Sequence, residues 1–167
     1  MPKMYVITAP PGAGKSTVSM LLAEQLERSV VIEGDWVYHL VVGGYVAPWL
    51  PGNHKDFFWK NVISLARNSM EEGYDVVFNY VVTPKDISML QRELGELTLA
   101  VLLPDVEELV RRDNLRPEDC RMGERCRVVH AEFQKHCFPE VCVLRTDGET
   151  PEETVQRVKS LPECPSL

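Results

Sequence analysis

Short, almost unbroken apolar runs recur along this chain and alternate with stretches in which apolar residues return every three or four positions. The runs are Met4-Tyr5-Val6-Ile7, Val30-Val31-Ile32, Asp75-Val76-Val77-Phe78-Asn79-Tyr80-Val81, Leu97-Thr98-Leu99-Ala100-Val101-Leu102-Leu103 and Val141-Cys142-Val143-Leu144. Continuous apolar runs of this length mark strands buried on both faces. They predict five strands, near 4–9, 30–35, 75–81, 97–103 and 141–144. Between them, spacing such as Val18, Leu21, Leu22 and Leu26 predicts helices over about 15–28 and 55–72, and from 84 to about 94. Three more are expected after Asp105, from about 124 to 137, and from Pro151. Thr83-Pro84-Lys85-Asp86 and Thr150-Pro151-Glu152-Glu153 each read as an N-cap, a proline at the first helical position and an acidic third residue. Asp105 with Glu108 is expected to cap in the same way. Strands alternating with helices argue for a parallel sheet covered on both faces, one domain spanning 1–167. Ligands of such sheets bind beyond the carboxyl ends of the strands.

One strand end carries a decisive motif. Ala9-Pro10-Pro11-Gly12-Ala13-Gly14-Lys15-Ser16-Thr17 follows the first strand and opens the first helix. A glycine-rich turn ending Gly-Lys-Ser in that context is a phosphate loop. The backbone N–H groups of Gly12, Ala13, Gly14, Lys15, Ser16 and Thr17 can wrap a phosphate at the positive end of the helix. Lys15 would reach the β- and γ-phosphates, and the Ser16 hydroxyl would complete a Mg²⁺ shell. Ala9 stands where the first glycine of the pattern usually falls. Glycine is needed only where φ is positive or a Cβ would strike the ligand, so Ala9 is expected at negative φ with its methyl turned from the phosphates.

Composition narrows the function. Of 167 residues, 44% are apolar and 26% charged, the profile of a soluble globular protein, and the net charge is −7. That sign argues against a duplex nucleic-acid binder. The cysteines, Cys120, Cys126, Cys137, Cys142 and Cys164, are odd in number and form no Cys-x-x-Cys, and no secretory leader precedes the first strand. Reduced thiols and a cytoplasmic location are therefore expected. His130, His136, Cys126 and Cys137 match no zinc-ligand spacing and read as surface imidazoles and core thiols. No apolar run is long enough for a membrane span.

The second strand is read as ending Glu33-Gly34-Asp35, which places carboxylates at the phosphate-loop edge. Asp35 is the candidate base for an acceptor hydroxyl, and Glu33 is the rival if the strand stops earlier. Residues 36–59 hold all three tryptophans together with Tyr38, Tyr45, Phe57 and Phe58. Trp36, His39 and Trp49 are expected to line a cleft facing Asp35 for a ring-bearing or sugar-like acceptor, while Phe58 and Trp59 at helical spacing are expected to pack the helix. The segment has no arginine, so the acceptor is expected to be small and uncharged rather than a nucleoside monophosphate. Asn79 ends the third strand where a metal-binding aspartate often sits; it could hold a substrate hydroxyl but adds no charge. Asn53-His54-Lys55-Asp56 only superficially resembles a guanine-reading motif.

Arg111, Arg112, Arg116, Arg121, Arg125 and Arg127 crowd one short span, more than half of the chain's arginines, with acidic residues interleaved. Arg111 and Arg127 read as partners in surface ion pairs. Pro117 and Gly123 divide the span, as a mobile lid over roughly 112–126 requires, and Arg121 and Arg125 are its candidates to clamp a phosphoryl in transfer.

With these residues in view, the chain resembles the small P-loop kinases that phosphorylate metabolites and antibiotics: gluconate kinase, shikimate kinase, chloramphenicol phosphotransferase and zeta-toxin-like proteins. Pro-Pro-Gly-Ala-Gly-Lys-Ser-Thr and the order of elements carry the likeness over nearly the whole chain. Glu33-Gly34-Asp35 with His39 is similar to the Asp-Gly-Asp…His of gluconate kinases, and Ala47-Pro48-Trp49-Leu50 to their Pro-Trp-Leu, though their acidic run before it is missing. Arg121-Met122-Gly123-Glu124-Arg125 is similar to a lid signature of ATP-binding relatives. The resemblance implies a P-loop NTPase fold with strand order 2-3-1-4-5, ATP with Mg²⁺, Arg112 and Arg116 as adenine-stacking and lid arginines, and Thr146 against the adenine. Two functions stay open: an ATP-dependent small-molecule kinase, and an ATP-binding protein with a regulatory or interaction role. A 5′-hydroxyl nucleic-acid kinase is disfavoured by the acidity. The oligomeric state is not legible.

Overall fold

The structure is a computed structural model and describes residues 1–118 and 121–167; Asp119 and Cys120, the latter one of the expected reduced thiols, lie outside the described residues. Five strands, β1 (Met4–Thr8), β2 (Ser29–Glu33), β3 (Asp75–Asn79), β4 (Thr98–Leu102) and β5 (Val143–Leu144), form one sheet in the order 2-3-1-4-5. Every pairing is parallel. The period-two geometry of β1 builds both cores. Met4 and Val6 pack with Ile32, Phe78, Leu99 and Val101 on one face, and Tyr5 and Ile7 with Val77, Ala100 and Leu102 on the other.

Among the described residues, seven α-helices cover these faces: α1 (Lys15–Glu24), α2 (Gly34–Tyr38), α3 (Lys55–Glu71), α4 (Pro84–Leu94), α5 (Val106–Asn114), α6 (Glu124–Lys135) and α7 (Pro151–Lys159). Phe58, Val62 and Ala66 of α3 fill the first core with Ile87 and Leu90 of α4. Val18, Leu22 and Ala23 of α1 meet Val155 and Val158 of α7 in the second. Both expected capping boxes are present, at Thr83 with Asp86 and at Thr150 with Glu153. Among the described residues no helix is long and apolar enough to cross a membrane.

Several boundaries differ from the sequence reading, each for a local reason. The first helix stops at Glu24 because Gln25 and Leu26 close a tighter turn, and the Ser29 hydroxyl takes the Ala23 carbonyl at 2.7 Å. The second strand ends at Glu33, not Asp35, and α2 follows at once. A Cβ on Gly34 would lie 2.5 Å from Tyr80 Cδ2, so the glycine lets the backbone press against the ring as it turns. The third strand ends at Asn79, opposite Glu33; Val82 N–H leaves the sheet and donates to Thr8 Oγ1 at 3.0 Å. The fifth strand is shorter because Pro139 opens a 3₁₀ turn over Glu140–Cys142. The sixth helix ends at Lys135, since His136 already has extended backbone. Asp105 makes no side-chain cap: Glu108 turns instead to two arginines. His130, expected at the surface, is buried with Nε2 3.0 Å from the Pro104 carbonyl oxygen.

Candidate functional site

The loop between β1 and α1 has the backbone that a phosphate cradle needs. Gly12 and Gly14 have φ of 87° and 95°, a region costly for residues with a Cβ. No other residue type has positive φ among the described residues. Ala9 is fully buried with Ile7, Ala100 and Leu102, so the motif's missing glycine leaves the loop geometry intact. Gly12 is hemmed in from the far side: a Cβ there would lie 3.2 Å from the Leu109 carbonyl oxygen of α5.

Lys15 is half-buried at the start of α1. Burial pushes its ammonium below its ordinary range, and the charge of Asp35 opposes that fall, as Glu33 does more weakly. Arg116 adds to the depression. A lysine in this setting gains from a bound polyphosphate, whose charge would favour its protonated form. Ser16 and Thr17 are exposed beside it.

Both acidic candidates therefore gather at the loop, but from different elements. Glu33 closes β2 and accepts a hydrogen bond from Asn79 Nδ2 at 3.0 Å, a pairing set by the in-register alignment of the two strand ends. Asn79 is thus buried and committed to Glu33. Asp35 lies two residues on, in α2, and its charge reaches both Lys15 and the Tyr80 phenol. Burial chiefly, and then Asp35, push that phenol well above its ordinary range.

The aromatic segment is split between packing and exposure. Tyr38 is buried, stacks on His54 with ring centroids 4.2 Å apart, and donates to the Val46 carbonyl at 2.8 Å. His39 stacks on Tyr45 at 5.3 Å and sets Nδ1 2.6 Å from the Asp35 carbonyl oxygen. Phe58 is core and Trp59 packs partly against it. Trp36 and Trp49 are 79% and 64% exposed. Neither is held in packing, and Trp49 instead carries the Arg125 guanidinium 4.3 Å above its ring.

The arginine span divides likewise. Arg111 and Arg127 pair with Glu108 and Glu124, as their spacing implies. Arg112 donates to Glu108 at 2.7 Å, to the Ala13 carbonyl at 3.4 Å and to the Thr146 carbonyl at 3.2 Å. It bridges the phosphate loop and the end of β5. Arg116 lies 3.7 Å from Asp113 and its charge reaches Lys15, whereas Arg121 folds back to donate to the Arg116 carbonyl at 2.9 Å. Beside Arg112 opens a cavity of about 390 Å³, lined by Ala13, Thr17, Arg112, Thr146, Gly148 and Pro151 among others. The buried Thr146 Oγ1 has no hydrogen-bond partner, and an orphaned hydroxyl at a cavity wall suits a ligand that supplies one.

These features define the class. The chain has the fold of the small P-loop kinases, with their strand order and phosphate loop. It is similar to a sugar kinase from Janibacter sp. HTCC2649, with a TM-score of 0.74 at 13% identity over 96% of this chain and 94% of that one. The Deinococcus radiodurans tunicamycin resistance protein matches with a TM-score of 0.69 at 17% identity over 99% of both chains. In sequence the chain is 28% identical over 170 residues to a guanylate kinase of Bartonella quintana (strain Toulouse), covering 86% of this chain and 74% of that relative. No protein-family model matches the chain.

Proposed function

We propose that the protein is a phosphotransferase that moves the γ-phosphoryl of ATP to a hydroxyl of a small, uncharged metabolite or antibiotic. The observation that carries this reading is that the charges of Asp35 and Glu33 both act on Lys15, close to the carboxyl ends of β1 and β2. Gly12, Ala13, Gly14, Lys15, Ser16 and Thr17 would hold the phosphates, Ser16 the Mg²⁺, and Arg112 and Thr146 the base. The cavity beside Arg112 and the orphaned Thr146 hydroxyl support that fit. Bound Mg-ATP would supply an electrophilic phosphorus with its charge neutralised. Asp35 would take the acceptor's hydroxyl proton, with Glu33 held in reserve by Asn79. The exposed rings of Trp36 and Trp49, with His39, would present a partly apolar wall to the acceptor. Asn79, tied to Glu33, would act on the acceptor only through that carboxylate. Arg116, Arg121 and Arg125 would meet the developing phosphoryl charge as the lid closes. The protein would work in the cytoplasm, with its cysteines reduced.

The similarity to a guanylate kinase favours a second reading, with a nucleoside monophosphate as acceptor. Against it, residues 36–59 contain no arginine, and Arg125 meets this segment on the face of Trp49. The deciding experiment incubates the protein with Mg-ATP and a pool of sugars, nucleosides, aminocyclitols and nucleoside monophosphates, then reads masses for an added phosphoryl. A phosphorylated neutral alcohol supports the first reading, and conversion of a monophosphate to a diphosphate supports the second. ATP binding with no product from any pool would favour a regulatory ATP-binding protein.

A further inference from the structure

One carboxylate ties the lid to the phosphate loop. Asp113, in the last turn of α5, is only 2% exposed. A buried carboxylate is rare unless its oxygens are satisfied. Here the Met122 N–H donates to both oxygens, at 3.1 and 3.0 Å, and the Gly123 N–H donates to Oδ2 at 2.8 Å. Arg116 Nη1 lies 3.7 Å from Oδ1. Burial alone would raise the Asp113 carboxyl, yet these amides and Arg116 hold it below its ordinary value.

The other side of the same residue meets the phosphate loop. A Cβ built on Gly12 would lie 3.9 Å from both Asp113 Cβ and Asp113 N. Gly123 immediately precedes α6 and provides no side-chain cap of its own. Asp113 therefore reaches the amides at the entry to α6 from a different helix, and its charge joins that of Glu124 in suiting the helix dipole. Two residues into that entry, Arg125 rests on Trp49. Phosphate loop, α5, the entry to α6 and the acceptor-side segment are thus connected in series.

We propose that Asp113 is the positioning residue that fixes the entry to α6, and with it Arg125, relative to the phosphate loop. It keeps the nucleotide side and the acceptor side of the cleft in one frame. The catalytic consequence rests on the phosphotransferase reading; the structural consequence does not. Two backbone amides, the Arg116 guanidinium and the Cys126 thiol face this carboxylate, and each is a donor to it. Asparagine at 113 would set an NH₂ group against one of them and remove the charge.

Hydrogen exchange on the whole protein, with and without Mg-ATP, tests this in wild type and Asp113→Asn. Peptides covering 121–128 should lose protection about tenfold or more in the variant, as expected for losing charge-assisted hydrogen bonds. Peptides from β1, β3 and β4 should be unchanged, and ATP affinity should stay within about threefold. With an acceptor that turns over, kcat should fall about tenfold or more while KM for ATP barely moves. Met122→Pro, which deletes one donor and leaves Asp113 in place, should reproduce the local loss of protection if Asp113→Asn fails to fold. Unchanged protection at 121–128 in either folded variant overturns the proposal, as does an equal loss across the whole sheet. The local loss of protection without turnover on any acceptor would uphold Asp113's positioning role and remove only the phosphotransferase reading.

Discussion

Replacing Glu108 by glutamine would take one carboxylate from beneath two guanidinium groups. Its Oε2 accepts from Arg111 Nε at 2.7 Å, and its Oε1 accepts from Arg111 Nη2 at 2.8 Å and from Arg112 Nε at 2.7 Å. The bonds from Arg111 act most strongly, burial opposes them, and Arg112 adds to them, so the carboxyl is held down at about 2 instead of its ordinary 4.5. By linkage that displacement corresponds to roughly 3 kcal/mol. Arg111 is 62% exposed on its side chain, and solvent screening there lowers the expected contribution to about 1–2 kcal/mol. The native group titrates below the unfolded one, so the unfolded chain takes up its proton first. The stabilisation is fully present above about 4.5 and is lost as pH falls toward about 2. Urea midpoints of wild type and Glu108→Gln should therefore differ near neutral pH and converge on acidification. Equal midpoints near neutral pH, or a difference that stays constant down to pH of about 3, would refute the reasoning.

Mg-ATP at 100 times its Kd should raise wild-type stability by about 2.7 kcal/mol, seen as a higher melting temperature, and Lys15→Ala should abolish most of that shift. Asp35→Asn should lower kcat by roughly 10²–10⁴-fold with nearly unchanged ATP binding; a variant that turns over normally would transfer the role of base to Glu33. Arg125→Ala should lower kcat with modest change in nucleotide affinity, and should alter the emission of Trp49, whose ring it uncovers.

The sheet was legible because each strand is covered on both faces, which leaves an apolar run that no helix pattern imitates. The phosphate loop was legible because its chemistry is local, one residue after another. The turn at Gly34 was not, since it depends on Tyr80, distant in sequence. Asp105 and Glu108 have the same spacing as the two capping boxes that do form, but arginines three and four residues beyond Glu108 draw its carboxylate away. Asp113 looked like one charge among many. Its main partners are backbone amides nine and ten residues later, and an amide leaves no mark in a sequence. The orphaned Thr146 hydroxyl sits at a site that the family resemblance named but that hydrophobic periodicity could not.

The contact between Gly34 and Tyr80 separates what must stay fixed from what is free to vary. It seats α2 on the end of β3 by backbone against ring, using no outward-pointing side chain. Trp36, Leu40, Val42 and Trp49 are all exposed and contribute little to that joint. The surface they present is a replaceable veneer over a rigid mount. A lineage could exchange those residues while the backbone that carries Asp35 stayed in place. On the phosphotransferase reading, a library randomised at 36, 40, 42 and 49 with Gly34 and Tyr80 retained would be the direct route to new acceptors on this scaffold.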